Sequence, residues 1–171
     1  GAAALAVDIL LSGASGETDD AALAAALTTL PAVIAVAAQV SETEQTANAV
    51  PVVREALAPD ARFADVATEG LVNIVTDGGG TPRHIPLIFL SDTGLQPAFG
   101  LKALELGSGK TPSMTADGVR IGDRELPLDL GWHLALNYYG PAETIETISA
   151  ENLLGDETVD LHGRLAVLGV T

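Results

Sequence analysis

Two nearly continuous apolar segments dominate the first forty residues, one at residues 2–10 and one at residues 32–40. Apolar runs of this kind are typical of strands that are covered on both faces, as in parallel sheets. Between them, Leu23 and Leu27 lie one helical turn apart, and Pro31 ends the helix that they indicate. Neighbouring parallel strands need such a crossover connection. The sequence therefore predicts a βαβ unit at the start of the fold.

The start of that helix carries two adjacent carboxylates, Asp19 and Asp20, directly after Thr18. Threonine is a favoured helix N-cap, and carboxylates in the first turn interact favourably with the helix dipole. The same carboxylates could serve as ligands or general bases, but the helix start explains them without a further assumption. We therefore predict that Thr18 caps the helix and that the two aspartates are structural.

The rest of the chain alternates between strand-like and helical segments. Residues 71–76 and 83–90 flank a glycine-rich turn, which predicts an antiparallel pair with Pro86 at an edge or a bulge. Residues 41–59 show weak periodicity and are predicted to be loop.

Further predicted features are caps at Asp60 and Ser149, a helix from Pro97 to Gly107, a hairpin turn at Gly122 and Asp123, an alternating strand at 132–139 and a final strand at 165–170. Together they predict an α/β fold, a single domain over residues 1–171 with a central mixed β-sheet flanked by helices.

The chain is strongly acidic, with 23 Asp and Glu against 8 Lys and Arg and a formal net charge of −15. Such a charge opposes binding to nucleic acid or to anionic lipid headgroups. Cysteine is absent, which removes thiolate catalysis and cysteine-based metal sites. No apolar run reaches the ~18 residues that a spanning helix needs. We therefore expect no nucleic-acid partner and no membrane span within these residues.

The segment GSGKT at residues 107–111 resembles a phosphate-binding loop. The full motif needs a glycine where the chain has Leu104, and a helix after the lysine, where Pro112 indicates a turn. We therefore interpret the segment as a loop rather than a nucleotide site.

Other reactive side chains show no catalytic or metal-binding spacing. The histidines, His84, His133 and His162, lack the i, i+4 arrangement of a helical metal site. The sequence around Ser15 does not match a G-x-S-x-G nucleophile motif. We expect no catalytic residues, no metal, no cofactor and no enzymatic activity.

If the domain binds a small ligand, polar groups at the ends of strands are the first place to look, because ligands of α/β folds usually sit there. The residues that meet this description are Asp8, Asp77, Arg83, Asn137 and Tyr139. Asp77 and Arg83 also bracket the glycine-rich turn, where an ion pair across the hairpin is the alternative role. Asn137, Tyr138 and Tyr139 could line a pocket with an amide and aromatic faces, but on an alternating strand one of the two tyrosines is expected to be in the core.

The order and spacing of several segments resemble the type-two CHASE domains over nearly the whole chain. The first two segments, GAAALAVDILLS and TDDAALAAAL, resemble the family's opening strand and the Asp-Asp start of the helix that follows it. Its central signature, a glycine-led strand, an Asp-Gly turn and then Arg and a Pro-apolar strand, is similar to GLVNIVTDGGGTPRHIPLIF. Its closing segment is similar to LPLDLGWHLALNYYGP, TIETISAENLLG and LHGRLAVLGVT.

The resemblance implies an extracytoplasmic, periplasmic sensory domain of a bacterial inner-membrane receptor. Its partners would be the flanking transmembrane helices and a small-molecule or protein signal, and its output a nucleotide cyclase, a diguanylate cyclase, or a histidine or serine/threonine kinase. The family's stretch before the first strand is missing, which predicts truncation at the N-terminus. Three alternatives stay open: a homodimer, a structural or dimerisation module without a small ligand, and an enzyme whose groups converge only in the fold.

Overall fold

The structure is a computed structural model that describes residues 1–40, 49–74, 76, 79–141, 144–155 and 159–170. The strands are β1 (Ala4–Leu10), β2 (Ala32–Val40), β3 (Val53–Leu57), β4 (Thr68–Leu71), β5 (His84–Pro86), β6 (Ile88–Ser91), β7 (Gly94–Pro97), β8 (Ser113–Met114), β9 (Gly118–Ile121), β10 (Arg124–Pro127), β11 (His133–Ala135) and β12 (Leu165–Gly169). The helices are α1 (Glu17–Leu27), α2 (Ala61–Ala64), α3 (Phe99–Ser108) and α4 (Ala150–Leu154). Within the described ranges, none of these helices has the length and apolar character needed to span a membrane.

The central sheet is built on the first forty residues. β1 pairs in parallel with β2, with Leu5 opposite Ala32 and Val7 opposite Ile34. β12 lies on the other side of β1, and β4 pairs with β2, both in parallel, whereas β3 runs antiparallel to β2. The predicted βαβ unit and the α/β class with a mixed central sheet are therefore confirmed.

Helices cover both faces of this sheet. One core cluster joins α1 and α2 to the sheet through Leu27 and Phe63, and it includes Val7 of β1. Another cluster joins α3 to the sheet through Ala103, and it includes Ala6 of β1. Because neighbouring residues of a strand point to opposite faces, Ala6 and Val7 place α3 opposite α1 and α2.

Short antiparallel units make up much of the second half of the chain. β6 pairs with β7, β9 lies between β8 and β10, and β5 pairs with β11. Their shared core buries Leu87, Ile88, Leu101, Val119 and Ile121. The predicted hairpin turn is confirmed with Gly122 at φ 58°, and Asp60 and Ser149 cap α2 and α4 by accepting backbone N–H groups.

The predicted antiparallel pair of residues 71–76 and 83–90 is wrong. In the described residues β4 is a parallel neighbour of β2, β5 pairs with β11, and β6 pairs with β7. Beyond β4, the amide of Asn73 continues the pairing with β2: Ala38 N–H donates to Asn73 Oδ1 over 2.8 Å, and Asn73 Nδ2 donates to the Ala38 carbonyl over 2.6 Å. Residues 72 and 73, directly after β4, are therefore held by β2. Pro86 ends β5 in a two-stranded ribbon, where the missing N–H does not interrupt a larger sheet.

Two helix boundaries differ from those predicted. Gly16 occupies the N-cap position of α1 instead of Thr18, and no side-chain hydrogen bond caps that helix at this position. Pro97 ends β7 rather than opening α3, and α3 ends at Gly109, in the left-handed region with φ 65°, rather than at Gly107. The left-handed conformation is what a glycine at a helix end allows, so the second glycine of the segment is the stop.

Two strand predictions also differ. The predicted loop at 41–59 contains β3, and residues 41–48 lie outside the described residues. β3 escaped prediction because four of its five residues are exposed, so it lacks an apolar pattern. The predicted strand at 132–139 is only β11 in the structure, since Trp132 has a φ of 59° and pairing with β5 ends at Ala135. The final strand is confirmed as β12.

Candidate ligand-binding site

A cavity of about 330 Å³ lies where the chain leaves the β5–β11 ribbon. We call it the tyrosine cavity; its lining consists of Asn137, Tyr138, Tyr139, Gly140, Pro141, Thr144, Ile145 and Thr147. Its volume falls within the roughly 300–1,000 Å³ typical of small-molecule sites. It is therefore large enough to hold a small solute.

The ribbon positions the first part of the lining. After β11, Leu136 N–H donates to the Arg83 carbonyl over 2.8 Å, so the chain still follows the segment before β5. Tyr138 Oη then donates to the Pro82 carbonyl over 2.6 Å. These two bonds hold the backbone before Asn137 and the ring of Tyr138, because each joins the segment to the residues that directly precede β5.

Both tyrosines are exposed, Tyr138 by 63% and Tyr139 by 84%. The prediction that one of them lies in the core is therefore wrong. Alternation between buried and exposed faces applies only within a paired strand, and the pairing of β11 ends at Ala135. Both aromatic side chains consequently line the same cavity.

A tight turn brings the second part of the lining back to the first. Gly140 has a φ of 155°, and a Cβ added there would lie 2.7 Å from Thr144 Oγ1. Thr144 Oγ1 donates to the Pro141 carbonyl over 2.8 Å, and Thr147 Oγ1 donates to the Ile145 carbonyl over 3.1 Å. Because the hydroxyl hydrogens are engaged within the loop, these threonines offer oxygen lone pairs to a ligand.

The structure brings only some of the predicted binding residues together. Asn137 and Tyr139 line the tyrosine cavity, and Arg83 is exposed on the neighbouring segment, to which its carbonyl is bonded. Asp8 is exposed on β1 opposite Gly169 and does not line this cavity. Asp77 lies outside the described residues, so its predicted pairing with Arg83 stays a prediction. The structure places Tyr138 in the pocket, which was one of its two predicted roles. The sequence reasoning missed the threonines, which the Gly-Pro pair at residues 140–141 could have indicated.

A second cavity of about 250 Å³ lies between β3, β4 and the β6–β7 hairpin. Its acidic lining residues include Glu55, Glu69 and Asp92. None of the predicted binding residues that the structure describes lines it. We therefore take the tyrosine cavity as the candidate site.

The buried His133 belongs to the support of the ribbon. Its ring Nδ1 lies 3.0 Å from Asp129 Oδ1, and the same oxygen accepts the backbone N–H groups of Gly131 and His133 at 2.9 and 2.8 Å. Burial acts to raise the pKa of Asp129, but the hydrogen bonds from His133 and Gly131 outweigh it and hold that pKa below its usual value. The pair does not line the tyrosine cavity. Trp132, which has a φ of 59°, also donates its N–H to the Asp129 carbonyl over 3.0 Å, so Asp129 bonds three successive residues where the ribbon begins.

The two aspartates at the start of α1 are not equivalent, since Asp20 is buried and Asp19 is exposed. The Asp20 carboxylate accepts Ser15 Oγ at 2.7 Å and Ser15 N–H at 3.1 Å, and Arg62 Nη2 of α2 lies 3.2 Å away. The hydrogen bond from Ser15 is the main reason that the pKa of Asp20 is lowered. These bonds tie the β1–α1 loop to α2 and account for Asp20 as a structural residue.

The GSGKT segment forms the end of α3 and the turn that follows. Gly109 ends the helix, and residues 110–112 are not helical, so no helix N-terminus faces Lys110. The Lys110 side chain instead packs close to Gly122 of the β9–β10 turn. Across the described residues, no group of three or more His, Asp and Glu side chains is arranged to hold a metal ion.

Comparison with known proteins gives one result. The sequence model of the CHASE2 domain matches residues 1–171, the whole chain. No curated protein and no solved structure matches the chain significantly. CHASE2 domains are extracellular sensory domains. The chain therefore belongs to the CHASE2 domain family.

Proposed function

We propose that this chain is the ligand-binding sensory domain of a bacterial transmembrane receptor and lies on the extracytoplasmic side of the inner membrane. The match to the CHASE2 family over all 171 residues is the observation that carries the proposal. Its output would be an adenylate or diguanylate cyclase, or a histidine or serine/threonine kinase. The domain itself is not catalytic in this proposal, and the tyrosine cavity is where the signal binds.

A physical link joins the tyrosine cavity to the central sheet. Glu146 lies between the lining residues Ile145 and Thr147, and its carboxylate accepts Arg164 Nη1 at 2.6 Å. Arg164 directly precedes β12, which is an outer strand of the parallel sheet. In this proposal, the ion pair transmits a ligand-induced shift of the loop to the start of β12. For such a ligand to signal, it must bind one arrangement of the domain better than the other.

A thermal-shift screen tests the proposal. Residues 1–171 are melted with a panel of amino acids, sugars, methylated amines and dicarboxylates, and each hit is repeated with Tyr139→Ala, Asn137→Ala and Arg83→Ala. We expect at least one hit whose shift is reduced in Tyr139→Ala or Asn137→Ala, because these residues line the cavity. A panel without hits, or hits that all three variants retain, would contradict it.

A dimerisation module is the second candidate function, and β12 supplies the observation that favours it. Val167 is 65% exposed on this outer strand, Leu165 and Leu168 are also exposed, and β12 carries no charged residue. Unprotected outer strands can pair with another chain. Analytical ultracentrifugation of the wild type and of Val167→Lys distinguishes the two: a dimer that the lysine dissociates, together with an empty ligand screen, would favour this module over the ligand sensor.

A further inference from the structure

The lining of the tyrosine cavity has an unusual charge balance for this molecule. The chain carries a net charge of −15, yet the cavity is lined by an amide, two phenol rings, hydroxyls and apolar groups, and none of these described lining residues is charged. An anionic ligand would approach against the overall negative potential of the protein, whereas a cation would be attracted by it.

The two tyrosine rings supply the local attraction. Aromatic rings carry a negative face, and a cation within about 6 Å of the ring centre is attracted to it. Tyr138 is held in place by its bond to the Pro82 carbonyl, and Tyr139 is almost fully exposed. The cavity is therefore lined by one ring whose position is fixed, Tyr138, and one ring that is open to solvent, Tyr139.

The kind of cation follows from the aromatic faces. A quaternary ammonium carries no N–H group that needs a hydrogen-bond acceptor, and aromatic faces are its usual partners. We propose that the tyrosine cavity binds an organic cation with a trimethylammonium group, of the chemical class of choline. This proposal rests on the proposed sensory function and names the ligand class of the same site.

Choline and its neutral isostere 3,3-dimethylbutan-1-ol test the proposal, because the two share their shape and differ in charge. Each is titrated into residues 1–171 by calorimetry, with the ring protons of the tyrosines followed by NMR. We expect choline to bind, the isostere to bind at least about twofold more weakly, and choline affinity to fall at high salt.

Substitutions of Tyr139 test whether its aromatic ring is responsible for the choline affinity. Tyr139→Leu should weaken choline binding about two- to fivefold, the size of a cation–π contact at an exposed site, whereas Tyr139→Phe should retain it. Leu154→Ala is the matched control, since Leu154 is also almost fully exposed but lies on α4, away from the lining. Circular dichroism of each variant confirms that the fold is unchanged.

Two outcomes would overturn the ligand class. In one, choline does not bind, or binds no better than its isostere, while a neutral sugar or another solute from the panel shifts the same tyrosine signals; the sensory proposal then stands. In the other, no solute shifts these signals at all, and both proposals fail for this cavity.

Discussion

The side chains of the layer formed by α1 and α2 are buried, whereas the aromatic side chains of the tyrosine cavity are exposed. In the layer, Phe63 is only 1% exposed and the carboxylate of Asp20 is enclosed by hydrogen-bond donors. In the cavity, both tyrosines present most of their surface to solvent. Buried side chains whose hydrogen bonds are all made contribute mainly to stability. Exposed side chains on a loop with a fixed backbone are available to bind a ligand. We therefore expect substitutions in the layer to change the free energy of unfolding and substitutions in the cavity to change ligand binding.

The largest effect is expected for Phe63→Ala. Phe63 packs against Val7, Leu27 and Ile34, and removing a buried phenylalanine side chain costs about 3–5 kcal/mol of unfolding free energy. Urea denaturation measures it. Tyr139→Ala is the comparison and should change the unfolding free energy by less than about 0.5 kcal/mol. A loss of similar size in both variants would show that the two regions do not differ as described.

Gly140→Ala should have an intermediate effect, because it strains the turn that closes the cavity. A side chain is disfavoured at a φ of 155°, and its Cβ would press against Thr144 Oγ1. We expect a loss of about 1–2 kcal/mol together with loss of ligand binding.

Gly100→Ala is the matched control for that glycine. Gly100 lies within α3, and a Cβ there meets no atom within 4 Å, so the substitution should stabilise the protein by about 0.5–1 kcal/mol. Equal melting temperatures for Gly140→Ala and the wild type would contradict the strain assigned to the turn.

The sequence predicts the sheet better than the cavity, for physical reasons. The parallel strands β1 and β2 are recognisable because burial on both faces demands continuous apolar residues. Asn137 and Tyr139 were predicted as binding residues because they are polar groups at the end of the predicted strand 132–139. Tyr138 was misjudged because the alternation was extended past Ala135, and only the pairing of β11 with β5 shows where the strand ends.

The pH dependence of stability should depend on Asp20. Its pKa is lowered by the Ser15 hydrogen bond, so its contribution is fully present above the ordinary value of 3.8 and is lost as the pH falls through the lowered folded-state pKa. Asp20→Asn should therefore lower the melting temperature at pH 7 and flatten its fall below pH 4. Asp19→Asn is the control, and identical acid profiles for Asp20→Asn and the wild type would refute this role.

The smallest effect on stability is expected for Glu146→Gln. Both partners of the Glu146–Arg164 pair are more than half exposed, and such pairs contribute at most about 1 kcal/mol. Ligand binding should also persist, because Glu146 does not line the cavity. What should change is transmission: NMR shifts caused by ligand at residues 164–169 should shrink relative to the wild type. If the ligand-induced shifts at residues 164–169 are the same in both proteins, the Glu146–Arg164 pair does not transmit the signal to β12.

Chemical-shift mapping of ¹⁵N-labelled residues 1–171 with choline, and with every hit of the solute panel, tests the central claim most directly. The account predicts that the largest changes occur at residues 136–147 and at 82–83, with smaller ones at 164–169 and none in α1 or α2. Changes centred instead on the second cavity, at residues 53–56, 69–71 and 91–97, would contradict it.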